Sequence, residues 1–203
     1  YSSVVRRHLG LKVEKRLIGF QYSVPLRQEV PLLEIFLDAR RFSVWYAWIF
    51  PHKDSIAVGC CCDPRFADPQ KIKLRFHDWL KDKGIDPGES KLESHPIAYD
   101  FRGVKFGHIF LVGEAAGMAS GFTGEGIYQS LVSGQEVARM ILEPGYKPVQ
   151  LAEALRYNRI LERVMKLFRR AGPFKAALQE FLLILMNREW LRKKINKQFT
   201  SSP

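Results

Sequence analysis

Phe110-Leu-Val-Gly-Glu-Ala-Ala-Gly-Met-Ala-Ser-Gly-Phe-Thr-Gly-Glu-Gly-Ile127 decides the fold, because it combines an apolar strand, a glycine-punctuated loop and a helix start. Ile109 to Val112 is short, apolar and flanked by Gly107 and Gly113, which predicts a buried strand. The helix is expected to open near Thr123 to Gly126. It should run through Leu131, Val132, Val137, Ala138, Ile141 and Leu142 at helical spacing and stop at Pro144-Gly145. Gly124 and Gly126 would let a ligand approach bare backbone where unpaired N–H groups point outward, a terminus suited to an electron-rich or anionic group. The competing explanation is an ordinary strand-loop-helix crossover whose glycines serve only tight packing.

Upstream, Phe42 to Pro51 is aromatic and rich in strand formers, His52-Lys53-Asp54 reads as a turn, and Ser55 to Cys62 as the returning strand. Alternation places Tyr46, Trp48 and Phe50 on one face of this hairpin, where three rings could wall an apolar cavity or simply fill a core. A helix is expected over Pro69 to Lys83 with Phe76, Trp79 and Leu80 inward. Gly84 to Gly88 then turns the chain into a strand around Leu92 to Tyr99.

A hydrophobic share of 46% over 203 residues excludes a disordered chain and allows a substantial core. The net charge of +11 is concentrated late: positions 156–197 hold twelve Lys or Arg and three acidic residues. Two helices are expected there, Leu151 to Ala171 and Phe174 to about Lys197, broken at Gly172-Pro173. Their basic flanks suit either an anionic membrane surface or plain solvation. The apolar run Phe181 to Met186 is too short to span a bilayer. No nucleic-acid-binding fold or zinc spacing accompanies the charge, so no nucleic-acid partner is expected. Cys60, Cys61 and Cys62 alternate across a strand and cannot converge on one ion; buried reduced thiols are expected, and no metal. The five His are scattered, His52 in the hairpin turn and His8, His77, His95 and His108 near expected element ends. The cytoplasm, or the periphery of a membrane, is the expected location.

The segment Gly113-Glu114-Ala115-Ala116-Gly117, followed by Thr-Gly124-Glu125-Gly126-Ile127, resembles the second flavin-binding motif of the p-hydroxybenzoate hydroxylase-like flavoproteins, and most nearly that of the geranylgeranyl reductases. The resemblance implies that position 114 hydrogen-bonds the FAD ribityl chain and that the amides around Gly126 and Ile127 face the pyrimidine edge of the isoalloxazine. Glu114 stands where the family has Asp, and Gly121 where it usually has Pro. Tyr46, Trp48, Phe50, Pro51 and Gly59 match the family's substrate-site signature, with Cys61 in place of its last Gly. Ser3 to Gly10 resembles the segment that follows the family's Asp-Gly motif.

The implied architecture is α+β with an α/β portion: an antiparallel-sheet substrate domain joined to the C-terminal part of a Rossmann-like FAD domain. Residues 1–11 would end the first FAD segment and 12–100 form the substrate domain. Residues 101–147 would form the second FAD segment and 148–203 basic helices. No Gly-x-Gly-x-x-Gly fingerprint is present, so an N-terminal FAD-binding half is the expected partner, and FAD should bind weakly or not at all without it. The implied activity is hydride transfer from reduced flavin to C=C bonds of a polyprenyl lipid, with NADPH or another reductant as donor. No catalytic acid is named by the sequence; Glu125 fits a helix first turn as well as a catalytic place. A flavin-dependent hydroxylase or halogenase, and a non-catalytic lipid-binding remnant without flavin, are the alternatives.

Overall fold

The computed structural model describes residues 3–26 and 32–174, with positions 177, 178 and 181. The second C-terminal helix expected from Phe174 onward therefore lies almost wholly outside the described residues.

A five-stranded antiparallel sheet forms the body. Its strands are β1 (Arg16–Pro25), β2 (Glu34–Phe36), β3 (Ala47–Pro51), β4 (Ser55–Cys62) and β5 (Glu93–Ala98), in the spatial order β2-β3-β4-β1-β5. The expected hairpin is β3-β4, with Trp48 opposite Gly59 and Phe50 opposite Ala57. It starts later than the sequence suggests. A short α1 (Val4–His8) precedes the sheet, and a turn of helix, α2 (Ala39–Phe42), occupies the stretch before β3 because Asp38 accepts hydrogen bonds from the N–H groups of Arg40 and Arg41.

One face of the sheet carries the core. Phe20, Tyr22, Val24, Ala47, Ile49, Val58, Cys60 and Cys62 are buried there against α3 (Pro69–Asp82). Helix α3 opens as its sequence dictates: the Asp68 carboxylate accepts from Gln70 N–H at 3.0 Å, with Pro69 in the first turn. Ile72, Phe76, Trp79 and Leu80 face inward. Phe36 meets Trp79 edge-on at 5.1 Å. All three cysteines are free and buried; burial raises their thiols well above the ordinary value, Cys62 to about 12, so they stay protonated.

His77 lies mid-helix rather than at an element end, 3.0 Å from the Tyr22 hydroxyl. Burial, reinforced by Lys73 and Lys81, pushes its imidazole below the ordinary value. The fold thus favours the neutral ring, whereas the unfolded chain protonates near pH ~6.5. Stability should be full above that pH and fall as pH drops through it. Denaturation at about pH 7.5 and about pH 5.5 checks this: His77→Gln should lose less stability on acidification than the parent. An equal loss would remove His77 as the cause.

The second layer contains β6 (Lys105–Phe106), β7 (Ile109–Phe110), a 3-10 turn (Gly113–Ala116), α4 (Ile127–Leu142) and α5 (Val149–Arg170). The buried strand expected over Ile109 to Val112 is only the two-residue β7, paired with β6, and Val112 is 38% exposed. Among the described residues no further strand lies beside it to extend the ladder.

Helix α4 keeps its expected bounds but turns part of its apolar set outward. Val132 and Val137 are buried, while Leu131, Ile141 and Leu142 are exposed and Gln129, Ser133 and Glu136 are inside. The inward polar groups have structural work. Ser133 Oγ accepts from Gly113 N–H at 2.9 Å, and the Glu136 carboxylate accepts from the Tyr146 hydroxyl and from the first N–H groups of α5, Gln150 at 3.1 Å and Leu151 at 3.5 Å. Pro148 caps α5 without a side-chain bond, so Glu136 supplies the acceptor the helix start lacks.

Candidate cofactor and substrate site

The face of the sheet away from α3 carries the rings expected to form a wall. Tyr46 and Trp48 centroids are 5.9 Å apart, as are those of Trp48 and Phe50, and all three residues are half-buried. Gly59 lies under this row and has no Cβ because the Trp48 indole crosses the strand there. The Trp48 indole N–H donates to Gln21 Oε1 at 3.3 Å. Pro51 ends β3 opposite Ile56, and Cys61 lies two residues beyond Gly59, buried and opposite Gly19.

This wall runs directly into the loop between the 3-10 turn and α4. The Tyr46 hydroxyl donates to the Thr123 carbonyl, and the Trp45 indole N–H to the Gly121 carbonyl at 3.2 Å. Burial, followed by Cys61 and Glu125, raises the Tyr46 phenol far above its ordinary value. The Tyr46 phenol therefore stays protonated, and its hydroxyl is engaged as a donor to the loop. Gly121 is explained by space: a Cβ would fall 2.5 Å from the Tyr99 ring edge. Rings from the sheet, rather than a proline, hold this part of the loop. Ser120 completes it, with Oγ accepting from Thr123 N–H at 3.1 Å and its own N–H donating to the Glu125 carbonyl at 2.7 Å.

Behind the loop sit two ion pairs that the sequence did not single out. Arg6 and Asp100 are both almost fully buried, 2.9 Å apart. Arg6 also donates to the carbonyls of Leu11 (3.2 Å) and Ala115 (3.3 Å), so one guanidinium ties the N-terminal segment to the turn. Asp63 accepts from Arg65 at 2.6 Å and from the Tyr99 hydroxyl, fixing the ring that backs Gly121. A lone Arg in the run Arg6-Arg7 reads as solvated, and single carboxylates at strand ends carry no motif.

The expected cofactor residues are brought close together, with Gly113, Ala116 and Gly117 buried and Glu114 exposed. Gly113, Glu114, Ala115 and Ala116 form the 3-10 turn, Gly117 follows in a left-handed conformation, and Gly124, Glu125 and Gly126 lead to Ile127 as the first residue of α4. Glu114 is exposed at this turn, with Oε1 accepting from Ala98 N–H at 3.3 Å, so its carboxylate also ties β5 to the loop. Gly124 has φ of 71°, which favours glycine. Gly126 differs: a Cβ there would meet Ala119 at an ordinary 3.6 Å. The chain's own packing does not demand this glycine. It caps α4 with no side-chain bond, and Ile127 is 79% exposed, so the helix-start amides are left for an external acceptor. Among the described residues no metal-binding group of His, Cys, Asp or Glu occurs, and no helix is long and apolar enough to cross a membrane.

The fold is shared with a geranylgeranyl bacteriochlorophyll reductase-like protein from Thermoplasma acidophilum, at a TM-score of 0.57 and 21% identity over 77% of this chain and 43% of that one. An antiparallel sheet whose ring-lined face meets a glycine-rich helix start thus defines the class: the mixed α+β fold that the two proteins share. The chain is 30% identical over 164 residues to the chloroplastic geranylgeranyl diphosphate reductase of Arabidopsis thaliana, covering 73% of this chain and 34% of that protein. The chain belongs to the geranylgeranyl reductase family. It is also 36% identical over 137 residues to the geranylgeranyl diphosphate reductase of Synechocystis (62% of this chain, 32% of the relative). A further relative is an uncharacterised protein of Methanosarcina barkeri, 30% identical over 181 residues (85% and 46%). The chain thus spans about a third to a half of the length of these curated relatives. No protein-family model matches it.

Proposed function

We propose that this chain is the substrate-platform and second cofactor segment of an FAD-dependent reductase that saturates C=C bonds in a polyprenyl lipid. The observation that carries this is the continuity of the ring wall with the loop: Tyr46 belongs to the row with Trp48 and Phe50 and donates to the Thr123 carbonyl. An apolar chain laid on the rings would lie beside whatever binds the α4 start.

When bound, FAD in its reduced form would supply hydride to one alkene carbon while water supplies the proton to the other, with NADPH or another reductant restoring the reduced flavin. Gly124, Glu125, Gly126 and Ile127 would offer backbone N–H groups to the electron-rich edge of the flavin. Glu114, with Ala115, Ala116 and the Gly113 and Gly117 hinges, would lie along its ribityl side. Tyr46, Trp48, Phe50 and Pro51, over the small residues Gly59 and Cys61, would exclude water and hold the alkene. An N-terminal FAD-binding half would complete the grip on the dinucleotide. Basic residues late in the chain would bring the protein to an anionic membrane surface where such lipids reside.

The test is spectroscopic. The full-length protein should purify yellow, bleach on reduction and recover its flavin colour when a polyprenyl substrate is added without oxygen. The 203-residue chain alone should take up FAD weakly or not at all. A colourless full-length protein that refuses added FAD would overturn the proposal.

A further inference from the structure

Two side-chain amides join α5 to the loop that leads into α4. Asn158, on α5, donates from Nδ2 to the Met118 carbonyl at 2.8 Å, and its Oδ1 accepts from Nε2 of Gln129 at 3.4 Å. Gln129 is the third residue of α4 and almost fully buried, as is Met118. Ala119, the next residue, is the neighbour that a Cβ placed on Gly126, the cap of α4, would meet. One side chain thus holds both the stretch packed against the helix start and the first turn of the helix.

The direction of these bonds is forced. A backbone carbonyl only accepts, so Asn158 must turn its NH2 group to Met118. Its oxygen then faces Gln129, which answers with its own NH2 group. Gln129 Oε1 is left buried and without a donor among the described residues. An unmet buried acceptor is unfavourable, and Met would fill much the same volume without one. The pair is therefore oriented by the Met118 carbonyl rather than by its own satisfaction. The two helices also fix each other: Glu136 of α4 receives the first N–H groups of α5, and Asn158 of α5 secures the first turn of α4.

We propose that Asn158 is a positioning residue of the candidate cofactor site. It acts through Met118 and Gln129, and sets the direction in which the N–H groups at Gly126 and Ile127 point. The cap of α4 makes no side-chain bond of its own, so the aim of these donors depends on what is packed against them. Hydrogen bonds weaken steeply as the donor turns off line, and a supporting residue that holds the donors on line acts on affinity without meeting the ligand. The identity of that ligand rests on the flavin reading. The geometry does not.

Hydrogen–deuterium exchange on the 203-residue chain tests the geometry without flavin. Asn158→Asp offers the Met118 carbonyl only acceptors, and Asn158→Leu offers it nothing. Both should speed exchange over positions 118–131 about tenfold, while α3 keeps the rate of the parent. Asn158 is half-buried, so the new carboxylate can reach water and the chain still folds. Arg159→Gln, exposed on the next position of α5, should leave exchange unchanged and excludes a general effect of charge. FAD titration of the full-length protein is the second arm. Both Asn158 variants should bind FAD about tenfold more weakly while melting within about 4 °C of the parent. A parent that takes up no FAD would sink the flavin reading, and the exchange result alone would then decide the role of Asn158. Unchanged exchange over 118–131 in both variants, or a rise shared equally with α3, would overturn that role. Unaltered FAD affinity in both variants of a parent that binds FAD would overturn it as well.

Discussion

Replacing Arg6 by Met should lower the melting temperature by roughly 10 °C, the largest loss expected from any single side chain in this fold. Its partner Asp100 is left in place, almost fully buried, with only the partly exposed Arg102 at 3.4 Å and the Glu14 N–H at 2.8 Å on its other oxygen to answer it. Removing one member of such a pair costs about 3–5 kcal/mol, a large share of the roughly 5–15 kcal/mol that holds a domain folded. The carbonyls of Leu11 and Ala115 lose their donor in the same step. Thermal melts of the single variants and of the Arg6→Met/Asp100→Leu pair resolve the contributions. The double variant should recover part of the loss, since the under-compensated buried charge disappears with its partner. Additive losses would mean that the two side chains do not act as a pair.

Gly59→Val should be the most damaging substitution on the ring-lined face. Its Cβ would overlap the Trp48 indole and stand 2.5 Å from the Phe20 carbonyl oxygen, on a strand paired on both sides. Neither neighbour can retreat cheaply: the carbonyl belongs to the sheet, and the indole is stacked against Phe50. A cost of about 3 kcal/mol or more is expected, a melting drop of roughly 6–12 °C. Loss of the near-ultraviolet circular dichroism contributed by the ordered rings should accompany it. Gly126→Ala is the contrast, because its Cβ has room. That variant should melt within about 2 °C of the parent and lose affinity only for a ligand at the α4 start. A Gly126→Ala protein as unstable as Gly59→Val would remove the distinction between the two glycines.

Much of this was legible before any coordinates. The hairpin, α3 and its inward residues, the α4 bounds and the start of α5 follow from periodicity and punctuation, which depend on local chain alone. The one-sided row of Tyr46, Trp48 and Phe50 follows from a period of two. The strand expected at Ile109 to Val112 shrinks because strands need neighbours, and apolar sequence cannot supply them. The outward turn of Leu131 and Ile141 was hidden for a related reason: the inward place of Glu136 depends on where α5 begins, fourteen residues later for Gln150. Arg6 and Asp63 escaped notice because their partners, Asp100 and Tyr99, are distant in sequence and become neighbours only when the fold closes.

The bonds from Trp45 and Tyr46 to the backbone of Gly121 and Thr123 have a mechanical meaning. They come from the start of the ring-bearing strand and end on the stretch that leads into α4. Wall and loop therefore share one frame of reference, set when the chain folds and not when a ligand arrives. Any closing movement around a bound molecule must be made by parts that cover this frame, and its own contribution to selectivity is the stiffness of a jig.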